Sequence, residues 1–448
     1  MKKKLHVIYI SVVAAVGSLL FGYDTAVISG TVDALRTHFA LDPLRLGWVV
    51  GSALIGCIGG ALVAGELTDW LGRRKVLALS AILFLVSAVW CYFSRTENEL
   101  IWARILGGVG VGFASLVVPV YIAELAPPEN RGALVQLNQI GILVGMVLSY
   151  IVNAWIGAKG DAAWLAHTGW RIMLGAEAIP SALFLGLLFA IPESPRWLVK
   201  QGRTQRARQI LERLHGAETA KIELQEITES MDGLQFKARD LFKKGTRGTV
   251  IFAVILALLQ AVTGINVVMY YAPTIFTSAG VATSTALGHS VIIGLVMLFF
   301  TLGSMFLVDR FGRRPIMLLG SAGMGFSLAL LGFNFGHAGA GGWGMLMCIL
   351  IYVAFFSVGM GGIFFVVISE IFPTRIRGTA ASLAVVFLWV GNYLVSLLFP
   401  MMLAALAGSV FYVYAFLCLV CFLFIFAYLP ETKGRTLEEI EKLLFSPR

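Results

Sequence analysis

Twelve stretches of about twenty apolar residues recur along the chain, and no other feature so narrows what it can fold into. They lie near 9–29, 47–68, 75–94, 100–122, 133–156 and 170–191, then near 247–271, 286–308, 315–335, 344–369, 377–404 and 409–429. Each is long enough, as a helix, to cross a hydrocarbon core ~30 Å thick. Of the 448 residues 58% are hydrophobic and 13% charged, about half the charged share of a soluble domain. So much apolar surface has to face lipid, where only a helix or a closed barrel satisfies the backbone. Stretches of this length predict an all-α integral membrane protein with twelve transmembrane helices.

The net charge of +9 suggests nucleic acid until the charges are placed. Most of the 34 Lys and Arg fall in alternate loops and at the termini: Lys2–Lys4, Arg73–Lys75, Arg131, the 192–247 segment, Arg310–Arg314, Arg375–Arg377 and the tail. The opposite loops hold only Arg36, Arg45, Arg95, Lys159 and Arg171. That asymmetry is the positive-inside pattern of a membrane protein, with both termini cytoplasmic. It points to a lipid bilayer as partner and away from nucleic acid. The basic N-terminus resembles a signal peptide, but its apolar run is too long, contains Asp24 and lacks a small-residue cleavage site, so it is expected to stay as the first helix. No Asn-X-Ser/Thr acceptor occurs, which fits a bacterial cytoplasmic membrane.

Cys57, Cys91, Cys348, Cys418 and Cys421 all lie in apolar spans without metal-ligand spacing and read as packing residues. No nucleophile, metal or phosphate motif suggests an enzyme or a cofactor. The one long hydrophilic stretch, 192–247, mixes Arg206, Arg208, Glu212, Arg213, Glu223 and Glu226 with Ile210, Leu211 and Leu214. This pattern predicts short amphipathic helices at the cytoplasmic face. The expected organisation is a six-helix half over 1–191, a helical linker over 192–246, a second six-helix half over 247–429 and a tail over 430–448.

The halves repeat one another at matching places. After the second span comes Asp69-Trp70-Leu71-Gly72-Arg73-Arg74, and after the eighth Asp309-Arg310-Phe311-Gly312-Arg313-Arg314. The fourth span ends with Glu124 followed by Arg131-Gly132, the tenth with Glu370 followed by Arg377-Gly378. The sixth ends in Pro192-Glu193-Ser194-Pro195-Arg196, the twelfth in Pro430-Glu431-Thr432-Lys433-Gly434. Parallel six-helix repeats are a recurring transporter architecture, with the substrate site near the midplane. Carboxylates at helix ends beside reachable arginines are expected to form a cytoplasmic latch between the halves, built from Asp69, Arg73, Arg74, Glu124, Arg131, Glu193, Arg196, Asp309, Arg313, Arg314, Glu370, Arg377 and Glu431.

Together with Phe21-Gly22-Tyr23-Asp24, Gln260-Ala261-Val262-Thr263-Gly264-Ile265-Asn266 and Tyr270-Tyr271-Ala272-Pro273, these motifs resemble the sugar porter family of the major facilitator superfamily over essentially the whole chain. That family includes proton–sugar symporters and facilitative glucose transporters. Asp24 and Arg104 sit inside apolar spans, where an unpaired charge costs ~3 kcal/mol or more, so they are expected to pair or to face a water-filled cavity. The resemblance matches them to the proton-carrying Asp and its Arg partner, and Glu177 to a further acidic position. It implies substrate contacts at Phe21, Gln139, Gln260, Asn266, Tyr270, Gly361, Phe365 and Trp389. Amides and aromatics suit a neutral polyhydroxyl ligand. Gly264 and Pro273 are expected to bend or unwind the seventh helix at the site.

The chain also departs from the family pattern. Ala261 replaces a second Gln, Met297 and Leu388 replace common amides, and Phe365 replaces a Trp. These departures imply a pocket poorer in hydrogen-bond partners, less suited to an ordinary hexose. The resulting expectation is proton-coupled symport of a sugar, polyol or related small neutral solute by alternating access. The alternatives are an energy-independent facilitator of the same substrates or an exporter of a more apolar solute.

Overall fold

A computed structural model describes residues 2–127, 130–231, 247–336, 341–372 and 377–433. Within these ranges the side chains of 2–4, 230, 231, 305, 309, 336, 341, 369 and 377–379 are not described. Ten helical segments each correspond to one span: Leu5–Gly30, Pro43–Leu71, Arg73–Phe93, Glu97–Leu125, Arg131–Gly157, Ala162–Ala190, Arg247–Ser278, Thr283–Val308, Arg313–Phe335 and Gly342–Ile368. The remaining apolar segment, Ala380–Tyr428, is two spans, because a short 3-10 turn at Ala407–Ser409 parts the helices Arg377–Leu406 and Val410–Tyr428. The twelve expected spans are therefore present, and no strand occurs among the described residues.

Small residues bring the helices into contact. A side chain on Gly56 or Gly60 of span two would run into the backbone of Ile105 or Val109, and one on Gly112 of span four into that of Cys57 and Ala61. Without a hydrophobic effect between helices in lipid, such close approach lets dispersion hold them together.

The linker forms three short helices, Pro195–Lys200, Thr204–Leu214 and Ala217–Met231. Pro195 starts the first and Ser194 caps it, accepting from the Trp197 N–H. Trp197, Leu198 and Ala207 pack together, as do Leu211, Ala220 and Ile227, so the expected amphipathic helices bury their apolar faces on one another. The part of the linker over 232–246 and the tail from 434 lie outside the described residues.

Packing groups the chain into two compact units. One comprises Met1–Thr25, Ile55–Ser149 and Arg171–Gln235; the other comprises Ala26–Leu54, Tyr150–Trp170 and Phe236–Arg448. The second unit holds the expected second half together with the ends of spans one, two, five and six that lie away from the N-terminus. The expected boundary at residue 191 follows the sequence repeat, whereas packing draws these ends into the other unit.

Candidate functional site

In the first unit, a charged cluster is buried within the spans. Asp24, Arg104 and Glu177 are each 1–2% exposed. The Arg104 Nη1 donates to Asp24 Oδ1 at 2.8 Å and to the Asp24 carbonyl at 3.2 Å, and Nη2 to the same carbonyl at 3.3 Å. That carbonyl lies in the last turn of helix Lys2–Val27, where carbonyls run out of intrahelical donors. Gly107 on span four makes room: a Cβ there would stand 3.2 Å from Asp24 Oδ1. Glu177 sits at a break in span six, between the helices Trp170–Gly175 and Ala178–Leu187. Its Oε1 has no partner among the described residues.

The charge count gives this cluster its chemistry. One guanidinium balances one carboxylate, and a second ionised carboxylate would leave a net buried charge, which low-dielectric surroundings oppose. Neutrality of the cluster requires one proton on its two carboxyls. Sequence reasoning found all three members; Tyr23, 1% exposed beside Glu177, it did not single out.

Phe21 and Gln139, also in this unit, are half-buried on spans one and five. Asn138, next to Gln139, is taken up inside the unit, its Oδ1 accepting from Ser18 at 2.7 Å.

In the second unit the seventh span breaks where expected. Helix Arg247–Val262 ends, Gly264 turns left-handed with φ 95°, and helix Ile265–Ser278 begins. The break frees the Thr263 carbonyl, which accepts from the Tyr352 hydroxyl at 3.1 Å. Pro273, by contrast, stays inside the second helix without ending it. Gln260, 5% exposed, donates from Nε2 to the Met360 carbonyl at 3.4 Å. Met360 lies in a π-turn, Ser357–Gly361, which also contains Gly361. Such turns release backbone groups inside helices and recur at functional sites.

Three amides here keep hydrogen-bonding atoms without partners among the described residues: Gln260 Oε1, Asn266 Nδ2 and Asn392 Oδ1. Sequence reasoning missed Asn392, although it lies three residues beyond Trp389 and so on the same face of its helix. Tyr270 and Trp389 are buried, whereas Phe365 is 46% exposed, with its ring edge-on to Phe364. Met297 and Leu388 are each 8% exposed. Ala261 corrects an expectation. It is fully buried, and a Cβ on Gly391 would come within 2.6 Å of its own, so it fills a seam between helices rather than a pocket wall.

The repeated loops form two parallel networks. In the first half Arg73 grips Glu124 with two donors, Nε to Oε2 and Nη2 to Oε1, both at 3.0 Å. Glu124 also accepts from Ser194, and Glu193 accepts from the Arg74 backbone N–H at 3.1 Å. Asp69 pairs with Lys200 of the linker at 2.9 Å and more distantly with Arg73. In the second half Arg313 reaches Glu370 Oε1 from Nε at 3.2 Å and from Nη2 at 2.9 Å. Thr432 donates to Glu370 Oε2, and Glu431 accepts from the backbone N–H groups of Arg313 and Arg314. Gly72 and Gly312, with φ of 98° and 91°, allow the tight approach, since a Cβ at either would strike Glu193 or Glu431. The pairs described close within one half, where the sequence suggested a latch between halves. Arg131 and Arg196 are exposed; the side chains of Asp309 and Arg377 lie outside the described residues.

A second set of contacts, at the end away from the linker, went unseen in the sequence. Tyr150 donates to the Met269 carbonyl at 3.0 Å, Asn153 to the Val27 carbonyl at 3.0 Å, and Thr277 to Asp33 Oδ2 at 2.8 Å. A side chain on Gly47 would strike the Leu397 carbonyl. Nearby lies a cavity of about 260 Å³ lined by Arg36, Leu46, Thr274 and Phe399 among others, and none of the expected substrate contacts borders it.

Residues 10–444 match the family model described as "Sugar (and other) transporter". The D-xylose-proton symporter of Escherichia coli (strain K12) is 42% identical over 98% of this chain and 96% of its own length. The arabinose-proton symporter of Bacillus subtilis (strain 168) is 40% identical over 98% and 95%. Among solved structures, the xylose transporter XylE from E. coli in its inward open conformation is similar with a TM-score of 0.87 and 40% identity, covering 98% of this chain and 99% of that one.

Proposed function

Because the chain belongs to the sugar transporter family, we propose that it carries a small neutral sugar across the membrane together with a proton, exposing one site alternately to the two sides. The Asp24–Arg104–Glu177 cluster carries this reading. It is neutral with one proton bound and charged without it, so protonation changes the ion pair that joins spans one and four. A two-state carrier whose states differ in how well they hold that pair is biased by the proton.

The neutral amides Gln260, Asn266 and Asn392, with Gln139, suit hydroxyls, and Trp389 and Tyr270 suit the apolar face of a sugar ring. Met297 and Leu388 supply no side-chain hydrogen bonds where the family resemblance implies amides, which favours a ligand with fewer hydroxyls than a hexose. Pentoses are the first candidates, in keeping with the xylose and arabinose symporters among the relatives. Reading the basic loops as cytoplasmic puts the termini and linker inside in this proposal, and the contacts of Tyr150, Thr277 and Gly47 then belong to the outer end. A shut outer end belongs to a carrier whose site opens inward.

The test is uptake of labelled D-xylose, L-arabinose and D-glucose into proteoliposomes, with and without an inward proton gradient. A gradient should drive accumulation of a pentose above its equilibrium level. Uptake that equilibrates without accumulation, and is indifferent to the gradient, would mark a facilitator instead.

A further inference from the structure

His215 closes the helix Thr204–Leu214, and Gly216 beside it, at φ 106°, turns the chain into Ala217–Met231. The His215 side chain is 6% exposed and reaches in two directions. Its Nδ1 lies 2.7 Å from Glu223 Oε2 on the next helix, and its Nε2 lies 3.2 Å from the carbonyl of Leu125, at the end of span four. The Leu125 carbonyl is the last of that helix and lacks an intrahelical donor, a position that also favours a positive charge.

Both partners are acceptors. A neutral imidazole has one N–H, so it satisfies one oxygen and turns a lone pair toward the other; only the imidazolium donates to both. The surrounding charges leave the Glu223 carboxylate to balance it. Glu124, adjacent to Leu125, is held by Arg73 of span three and by Ser194. Glu212, on His215's own helix, pairs with Arg208 at 2.7 Å. Arg213 on that helix, Glu218 at the start of the next and Arg196 on the first linker helix are exposed to solvent, and Lys200 pairs with Asp69.

We infer that His215 is a proton-dependent staple, which fastens the linker to the end of span four beside the Glu124 network when doubly protonated and loosens it when neutral. The residue is a positioning residue of the gate: it acts through Leu125 and Glu124 and touches no substrate. The sign follows from the proton count. The arrangement described holds one more proton than neutral histidine, so it is firm below the titration of His215 and weakens as pH rises through it. If the linker faces the cytoplasm, as the transport reading has it, the pH that matters is internal. The staple itself does not depend on that reading.

The experiment is amide hydrogen exchange on the full-length protein in lipid nanodiscs from pH 6 to pH 8, corrected for the intrinsic pH dependence. In the wild type, protection across 204–231 should fall about tenfold as pH rises, the weight of one charge-assisted hydrogen bond. His215→Gln should show the lower protection at every pH, with no step. Glu223→Gln, which leaves an acceptor without the charge, should move the step to lower pH. Nitrogen-15 chemical shifts of the His215 ring in the wild type read the same titration without any substitution. A step of unchanged size in His215→Gln, or a ring that stays neutral at pH 6, would overturn the staple. Transport measured in parallel separates the two readings: loss of proton-driven uptake with the step intact concerns the carrier function alone.

Discussion

The two halves share a loop architecture and differ in what they place inside the membrane. Arg73, Glu124, Ser194 and Glu193 have counterparts in Arg313, Glu370, Thr432 and Glu431, down to a left-handed glycine beneath each glutamate. Away from these loops the likeness ends. The first half buries two carboxyls and a guanidinium, whereas the candidate site of the second contains amides, a broken helix at Gly264 and a π-turn at Ser357–Gly361. In the proposed function this duplicated frame has taken on two chemistries, proton handling in the first half and recognition of hydroxyls in the second. The frame repeats because each half needs the same ties at its loops. The interior diverges because a proton and a neutral solute need different groups.

The largest test of that division is Asp24→Asn. It should reduce proton-driven accumulation to the level reached without a gradient, while sugar binding and counterflow persist. Equal accumulation by mutant and wild type at matched membrane levels would remove the proton from the first half. Next in size, Gln260→Ala should weaken sugar affinity by about five- to hundredfold, the range for a buried hydrogen-bonding partner lost. Gln139→Ala, at a half-buried position, should cost less. A reversed order in calorimetric dissociation constants would shift recognition toward the first half.

Ala261 shows what the sequence leaves open. A family amide at that position suggested a missing pocket contact, but whether a residue faces a pocket or a neighbouring helix depends on how its helix is rotated, and packing partners far along the chain set that rotation. Gly391, 130 positions away, places Ala261 in a seam. Ala261→Gln should therefore lower stability by about 1–3 kcal/mol, read as an earlier thermal unfolding in detergent, with no gain in hexose affinity. Met297→Asn and Leu388→Gln should instead raise D-glucose affinity by about two- to tenfold each. If the Ala261 variant gains affinity and the other two do not, the seam and the wall have been confused.

The smallest effect tests the likeness of the two networks. Arg73 uses both oxygens of Glu124, whereas Arg313 places both donors on one oxygen of Glu370. Each arginine makes two side-chain bonds to its glutamate, so Arg73→Ala and Arg313→Ala should each slow exchange by roughly fivefold, equivalent to ~1 kcal/mol for a charge-assisted pair near the surface. Slowing by only one of the two variants in a counterflow assay would show that the networks are not interchangeable.

The sequence by itself determined the number of spans, because an apolar run of fixed length has no stable alternative to a membrane helix. It determined the repeat and the loop networks, whose charged groups and glycines stand at matched offsets, and the pairing of Asp24 with Arg104, since neither is tolerated alone in hydrocarbon. The break at Gly264 was legible for a related reason: glycine reaches a left-handed conformation that other residues resist. Only the tertiary structure decided the rest. Tyr150 and Asn153 end on carbonyls, which every residue carries and no sequence pattern marks. Asn392 keeps a free oxygen, Phe365 stands half open, and His215 lies between two acceptors because distant helices meet there in three dimensions. Among the described residues the loop pairs close within one half, and that too depends on geometry: opposite charges establish that a pair can form, but only folding decides which pair does.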